Sequence, residues 1–213
     1  MGDDDVDYYR QQEALEAMLH AEREDFKEEL AQNALLRTYS DVIQVRRILD
    51  EAKTVRHVSP TAAYLLAASA CEITIRKLLF TPILSGLVHS EYGVNVVVSA
   101  ASRLPRNQMD KALASLLRFA FVDLDKITRQ TGGPSILREA ATVADKRDQI
   151  IHHGAQADKV SSRFALQVAH FLLNQVFTRL LTRYGLKLLE PDEQGPHFIP
   201  APAGDVFGHA PKE

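Results

Sequence analysis

Three observations predict an all-α fold for this 213-residue chain. Apolar residues recur at three- and four-residue spacing along most of its length. The interruptions carry helix start and stop chemistry rather than hairpin turns. The one β-branched run, Val94–Val98, has no partner run elsewhere with which to build a sheet. At this size a single domain with appendages hides roughly 70% of its unfolded-state surface, so a core forms without crosslinks. The single cysteine excludes an intramolecular disulfide framework and any multi-cysteine metal site. No apolar run approaches the ~20 residues that span a bilayer. The acidic opening MGDDDVDYY lacks a basic-then-apolar signal pattern, so a cytoplasmic location is expected.

Each element has its own justification. From Tyr8 to about Leu36 the chain is rich in Glu, Ala, Leu, Gln, Lys and Arg, with Leu15, Met18, Leu19, Phe26, Leu30 and Ala34 on an amphipathic stripe. A second helix is predicted over Tyr39–Val55, with Val42, Val45, Ile48 and Leu49 on one face. Ser59-Pro60 supplies an N-cap hydroxyl and a proline at the first helical position, where its missing N–H is harmless. The helix that follows, to about Phe80, is apolar around most of its circumference and is expected at the centre. Pro82 to Leu104 reads as irregular or helical. Asn107, with Asp110 three residues on, starts a helix to about Arg129, and Thr131-Gly-Gly-Pro134 breaks the chain. A helix from about Ser135 to His153 ends at Gly154, a left-handed cap. Asp158 caps a last long helix, Lys159 to Tyr184, that ends at Gly185. After Glu190 prolines and glycines replace periodicity, as in a disordered segment. The expected organisation is an acidic helical extension over 1–37, a helical bundle over 38–188 and a flexible tail over 189–213.

The net charge of −3 conceals an asymmetry: residues 1–30 hold eleven acidic and three basic side chains, so the remainder carries +5. The acidic segment suits either the masking of a cationic groove or the solubility of an exposed helix.

The segment Ala144–Gly154 concentrates the chemistry. Arg147, Asp148, His152 and His153 fall within two turns at the end of one helix. Asp148 and His152 are four apart and share a face, where the carboxylate can orient the imidazole. Arg147 lies about 140° round the helix from His152, and its long side chain reaches the same region. The same residues also suit a helix end with no chemistry: imidazoles in a last turn complement the macrodipole, and Arg147–Asp148 forms a solvated pair.

The run Arg147-Asp148-Gln149-Ile150-Ile151-His152 resembles the motif of the HEPN superfamily, an arginine and a histidine separated by four to six residues, often with a polar residue after the arginine. The order of elements is similar too. An Ala/Leu-rich helix carrying Glu72 precedes an irregular region, a further helix and the helix ending in the motif, covering roughly Tyr39 to Tyr184. The resemblance implies a helical bundle that forms a homodimer, the two motifs facing each other across the twofold axis. It implies a metal-independent endoribonuclease of the 2′,3′-cyclic-phosphate-forming type that needs no cofactor, acting as a toxin or antiphage defence effector. RNA would be the substrate, and an antitoxin or defence-system protein a partner. Inactive members of the superfamily serve instead as dimerisation or binding modules. Carried onto this chain, Arg147 and His152 are the catalytic pair and Asp148 the polar third member, with His153 the match at the longer spacing. One toxin subgroup has a tyrosine two residues after the histidine; here that position is Gly154, which argues against control by tyrosine AMPylation.

The chemistry can be stated independently. Cleaving RNA through its own 2′-hydroxyl needs a base for that hydroxyl, an acid for the departing 5′-oxygen and positive charge at phosphorus. A free imidazole, titrating near ~6.5, performs either proton transfer at neutral pH. A guanidinium stays charged and its fork matches two phosphate oxygens. One histidine serves poorly as acid and base together, and a twofold dimer supplies a second.

Elsewhere, Cys71 in the most apolar helix reads as a buried structural thiol. Glu72 has two candidate partners, Arg76 one turn on or Arg147. His20, His57, His89, His170, His197 and His209 show no metal-ligand spacing. Gly132-Gly133-Pro134-Ser135 is a turn and not a phosphate loop. Arg46, Arg47, Arg103, Arg106, Arg138 and Lys146 are candidates to track a phosphate backbone, each also readable as a solubilising charge.

Overall fold

Capping chemistry sets the helix boundaries in the computed structural model, which describes residues 29–88 and 123–188, positions 25, 27, 93, 94, 96, 97, 111, 114–116 and 118, and the short stretch 198–200. The described chain is all-α apart from one small strand pair. Expectations for the first turns from Tyr8, for a cap at Asn107 and for most of the segment after Glu190 fall outside the described residues.

Residues 29–37 are helical and turn into α1 (Tyr39–Val55) at Thr38, whose Oγ1 donates to the Leu35 carbonyl at 2.7 Å. The predicted stripe of α1 points inward through Val42, Val45 and Leu49, joined by Ala52. Helix α2 (Pro60–Ile73) begins as the sequence demands: Ser59 Oγ accepts from Ala62 N at 3.3 Å and Pro60 occupies the first turn. Its small residues Ala63, Ala67, Ala68 and Ala70 let it lie in the centre, against α1 and the later helices. Tyr64, buried among them, donates its hydroxyl to the Val143 carbonyl at 2.9 Å.

After Ile73 the structure departs from a simple stop. A π-helical segment, Thr74–Phe80, leads without a break into α3 (Thr81–Val88), so Pro82 lies inside a continuous helical path. The reason is local hydrogen-bond competition. Thr74 Oγ1 returns to the Ala70 carbonyl at 2.8 Å, and Thr81 bonds the Arg76 carbonyl through both its N–H and its Oγ1. The widened turn removes the ring-against-carbonyl clash that a proline otherwise makes in an α-helix. Val94, Val96 and Val97, the described valines of the β-branched run, are helical. Gly86 permits a close crossing: a Cβ there would lie 2.8 Å from the Lys27 carbonyl and 3.1 Å from Ala31 Cβ.

The helix expected to reach Arg129 ends before Asp123. Asp123 Oδ1 accepts from Asp125 N, the chain turns, and Thr128 bridges Ser135 across the Gly132-Gly133 bend. Helix α4 (Ile136–His153) closes at Gly154, whose φ of 66° is the left-handed cap read from the sequence. Asp158 caps α5 (Lys159–Phe171) by accepting from Ser161 N at 2.7 Å. The path continues through a second π segment, Leu172–Phe177, and α6 (Thr178–Arg183), turning at Gly185. The two π segments pack on each other. Strand β1 (Leu186–Leu188) then pairs antiparallel with β2 (Phe198–Pro200), Lys187 opposite Ile199. Three residues of the region read as an aperiodic tail therefore form an edge strand.

One core joins these elements, with Leu35, Leu49, Tyr64, Leu78, Leu79, Ile136, Leu172 and Phe177 essentially water-free. Each such side chain contributes about 1.5–3 kcal/mol by burial. Among the described residues no helix is long and apolar enough to cross a membrane.

Candidate functional site

The motif sits on the flank of α4 that faces α2. The inward stripe of α4 runs through Ile136, Leu137, Ala140, Val143 and Ile150, which fixes the helix's rotation. Position 147 then falls at the edge of that stripe, next to α2, with its side chain 25% exposed. There Arg147 NH1 donates to Glu72 Oε2, while its Nε and NH2 donate to Asp148 Oδ1 at 3.2 and 3.0 Å. Glu72 does not choose between its two candidate partners: its other oxygen, Oε1, meets Arg76 NH2 at 3.2 Å. The result is a half-exposed chain of charges, Arg76–Glu72–Arg147–Asp148, joining the π segment to α4.

Partial burial of Arg147 works against its charge, but Glu72 and Asp148 outweigh it and raise its pKa, so the guanidinium stays protonated. Three of its five N–H groups are engaged here, and no described residue takes the other two. The ends of that chain are balanced, two guanidiniums against two carboxylates, so the cluster is locally neutral.

His152 and His153 occupy the last turn of α4, and both are exposed. The two hydrogen bonds described for Asp148 come from Arg147. His152 and His153 form no hydrogen bond or ion pair among the described residues. Gly154 and the segment 155–158 carry the chain from this imidazole end into α5. That connection is pinned to α2: Thr61 Oγ1 accepts from Ala157 N at 3.1 Å and faces the Ala157 carbonyl at 3.4 Å.

Two supports escaped the sequence reading. Lys146, next to the motif arginine, turns the opposite way; it donates to Ser161 Oγ at 2.7 Å and lies over the Tyr64 ring at 5.8 Å. Burial pushes the Tyr64 hydroxyl far up from its ordinary value, so it remains a donor to α4. Arg129, in the loop before α4, forks onto Glu139 at 2.6 and 3.1 Å, with the two side chains 11% and 7% exposed. It also covers the Phe164 ring at 5.3 Å and reaches Gln167 at 3.2 Å, which ties loop, α4 and α5 together. The available signal was Glu139 in the first turn of a helix, where the macrodipole favours it.

Cys71 is buried with its pKa pushed up to about 12, mainly by loss of water, which fits an inert thiol. Among the described residues no three His, Cys, Asp or Glu side chains are grouped to hold a metal ion. No family model matches the sequence, and no curated protein and no solved structure match it.

Proposed function

We propose that this chain is a metal-independent endoribonuclease with a HEPN-like composite site, formed where Arg147 and His152 of two copies meet at a homodimer interface. One observation carries this reading: Glu72 and Asp148 hold the Arg147 fork in place while leaving two of its N–H groups open, on the same helix end that presents His152 to solvent. In the reaction one imidazole removes the proton of a 2′-hydroxyl. The resulting oxygen attacks the adjacent phosphorus, and the 5′-oxygen leaves with a proton from the second imidazole. The products are a 2′,3′-cyclic phosphate and a 5′-hydroxyl. Arg147 neutralises the charge that builds on the phosphorane oxygens. Such a nuclease suits a toxin or antiphage role in the cytoplasm, held in check by an antitoxin or another defence-system protein.

A second reading has its own support. Arg147 is answered by carboxylates on two sides, which leaves little net charge for a substrate phosphate. On this reading the chain is a catalytically silent dimerisation or ligand-binding module. Incubating the purified full chain with total RNA in EDTA separates the two. The nuclease reading expects cleavage, reduced by at least about a hundredfold in Arg147→Ala and in His152→Ala. It also expects a dimer by light scattering. No cleavage by the wild type, or equal cleavage by both variants, leaves the silent module.

A further inference from the structure

A second feature lies at the imidazole end of the bundle. Arg56 and His57, in the turn between α1 and α2, face Lys159, Val160 and Arg163 at the start of α5 across a groove of about 390 Å³. Its two rims are held in register by the Thr61–Ala157 hydrogen bonds, so the concavity is preformed. Every charged residue lining it is basic. No side chain of Arg56, His57, Lys159 or Arg163 has a hydrogen-bond or ion-pair partner among the described residues.

Several other basic side chains are answered by carboxylates. Lys53 meets Asp50, Lys77 meets Asp41, Arg118 meets Asp123 and Asp125, Arg129 meets Glu139, and Arg76 and Arg147 share Glu72. The acidic residue next to the groove in sequence, Asp158, is occupied with the N-terminus of α5; its pKa is lowered by the bonds to Ser161 and by the nearby Lys146. Lys159 and Arg163, four apart, share a face of α5, an arrangement of like charges that weakens a helix rather than supporting it. The positive end of the α5 dipole adds to the same field.

We propose that this groove binds the phosphate backbone of single-stranded RNA. The inference rests on the RNA substrate of the nuclease reading and adds a subsite to it. Phosphate is the ligand that answers several fixed cations at once, with Arg56 and Arg163 as forks and Lys159 as a point charge. Val160 in the groove and Val58 beside His57 are 76% and 89% exposed, which gives apolar surface for a sugar or base edge between phosphates. The α4–α5 connection starts at the His152–His153 turn and ends at Lys159, so one groove rim lies a few residues from the motif along the chain.

The test measures binding of a fluorescein-labelled 2′-O-methyl RNA of about 12 nucleotides to the full chain by anisotropy. This probe has no 2′-hydroxyl to attack, so binding is read apart from cleavage. The double variant Lys159→Ala/Arg163→Ala is expected to bind about tenfold more weakly, with a salt slope reduced by about 1.4. The charge-keeping pair Lys159→Arg/Arg163→Lys should bind within about twofold of wild type and so excludes a folding defect as the cause. Unchanged affinity in the double alanine variant overturns the proposal. So does RNA left unbound while inorganic phosphate or phosphatidylserine vesicles bind. If the groove variants lose RNA but wild type cleaves nothing, the nuclease reading fails and the groove stands. If wild type cleaves and the groove variants bind normally, the groove fails and the nuclease stands.

Discussion

The Arg147 cluster and the groove of Arg56, His57, Lys159 and Arg163 flank one short connection, yet they treat positive charge in opposite ways. In the first, two guanidiniums are matched by Glu72 and Asp148, and the charges serve to hold α2 against α4. In the second, four basic side chains share one concavity with no described carboxylate. Counting charges along the chain cannot separate these cases, because both score as a few arginines and histidines near a helix end. Partners separate them. An answered cation stabilises the fold and gives up part of its field, while an unanswered one keeps its field for a ligand.

This contrast yields predictions, taken from the largest effect down. Arg129 is the answered cation at its buried extreme. Arg129→Ala leaves the Glu139 carboxylate uncompensated at 7% exposure, and a loss of about 3–5 kcal/mol is expected in urea unfolding. A loss below about 1 kcal/mol would mean that water replaces the guanidinium and that the pair is ornamental. Glu72→Gln comes next. It removes a half-exposed carboxylate shared by Arg76 and Arg147, so only about 1 kcal/mol of stability is at stake. On the nuclease reading cleavage should fall more steeply than stability, because Arg147 loses the group that aims its fork. Equal cleavage by Glu72→Gln and wild type would show that Asp148 alone positions Arg147. Stability in the groove should respond less again: Arg163→Ala is expected within about 0.5 kcal/mol of wild type, since no described partner is lost and a like-charge neighbour is relieved.

What the sequence revealed and what it concealed divide along the same line, local against distant. Ser59-Pro60, Gly154, Asp158 and Gly185 act on backbone groups within a turn of themselves, and each is legible as a cap in the sequence alone. The π segments were not, because they depend on a contest between the Thr74 and Thr81 hydroxyls, Pro82 and the backbone that periodicity does not encode. The end of the helix before Asp123 was missed for a similar reason: an aspartate turning back on its own main chain looks, in a string of letters, like one more helical polar residue. At the site, the group on α4 was legible because Arg147 to His152 lie on one helix. The double role of Glu72 was left open, since its second partner comes from 75 residues away. The groove is the extreme case. Its rims are some hundred residues apart, and no single segment of the sequence carries it.

The smallest predicted effect vanishes at neutral pH. His170 combines the properties of the two regions, a basic group without a partner that is also out of water: its Nε2 is buried with no hydrogen-bond partner among the described residues. Burial lowers its pKa first and Lys53 lowers it further, against the opposing pull of Asp50. In the unfolded chain this imidazole titrates near ~6.5. Above that pH both states hold it neutral and it contributes nothing. As pH falls through ~6.5 the unfolded chain takes the proton before the folded one can, so stability declines. Urea midpoints at about pH 7.5 and pH 5.5 should therefore draw closer together in His170→Leu than in wild type. If the two proteins lose the same amount, the buried nitrogen has found a partner when protonated.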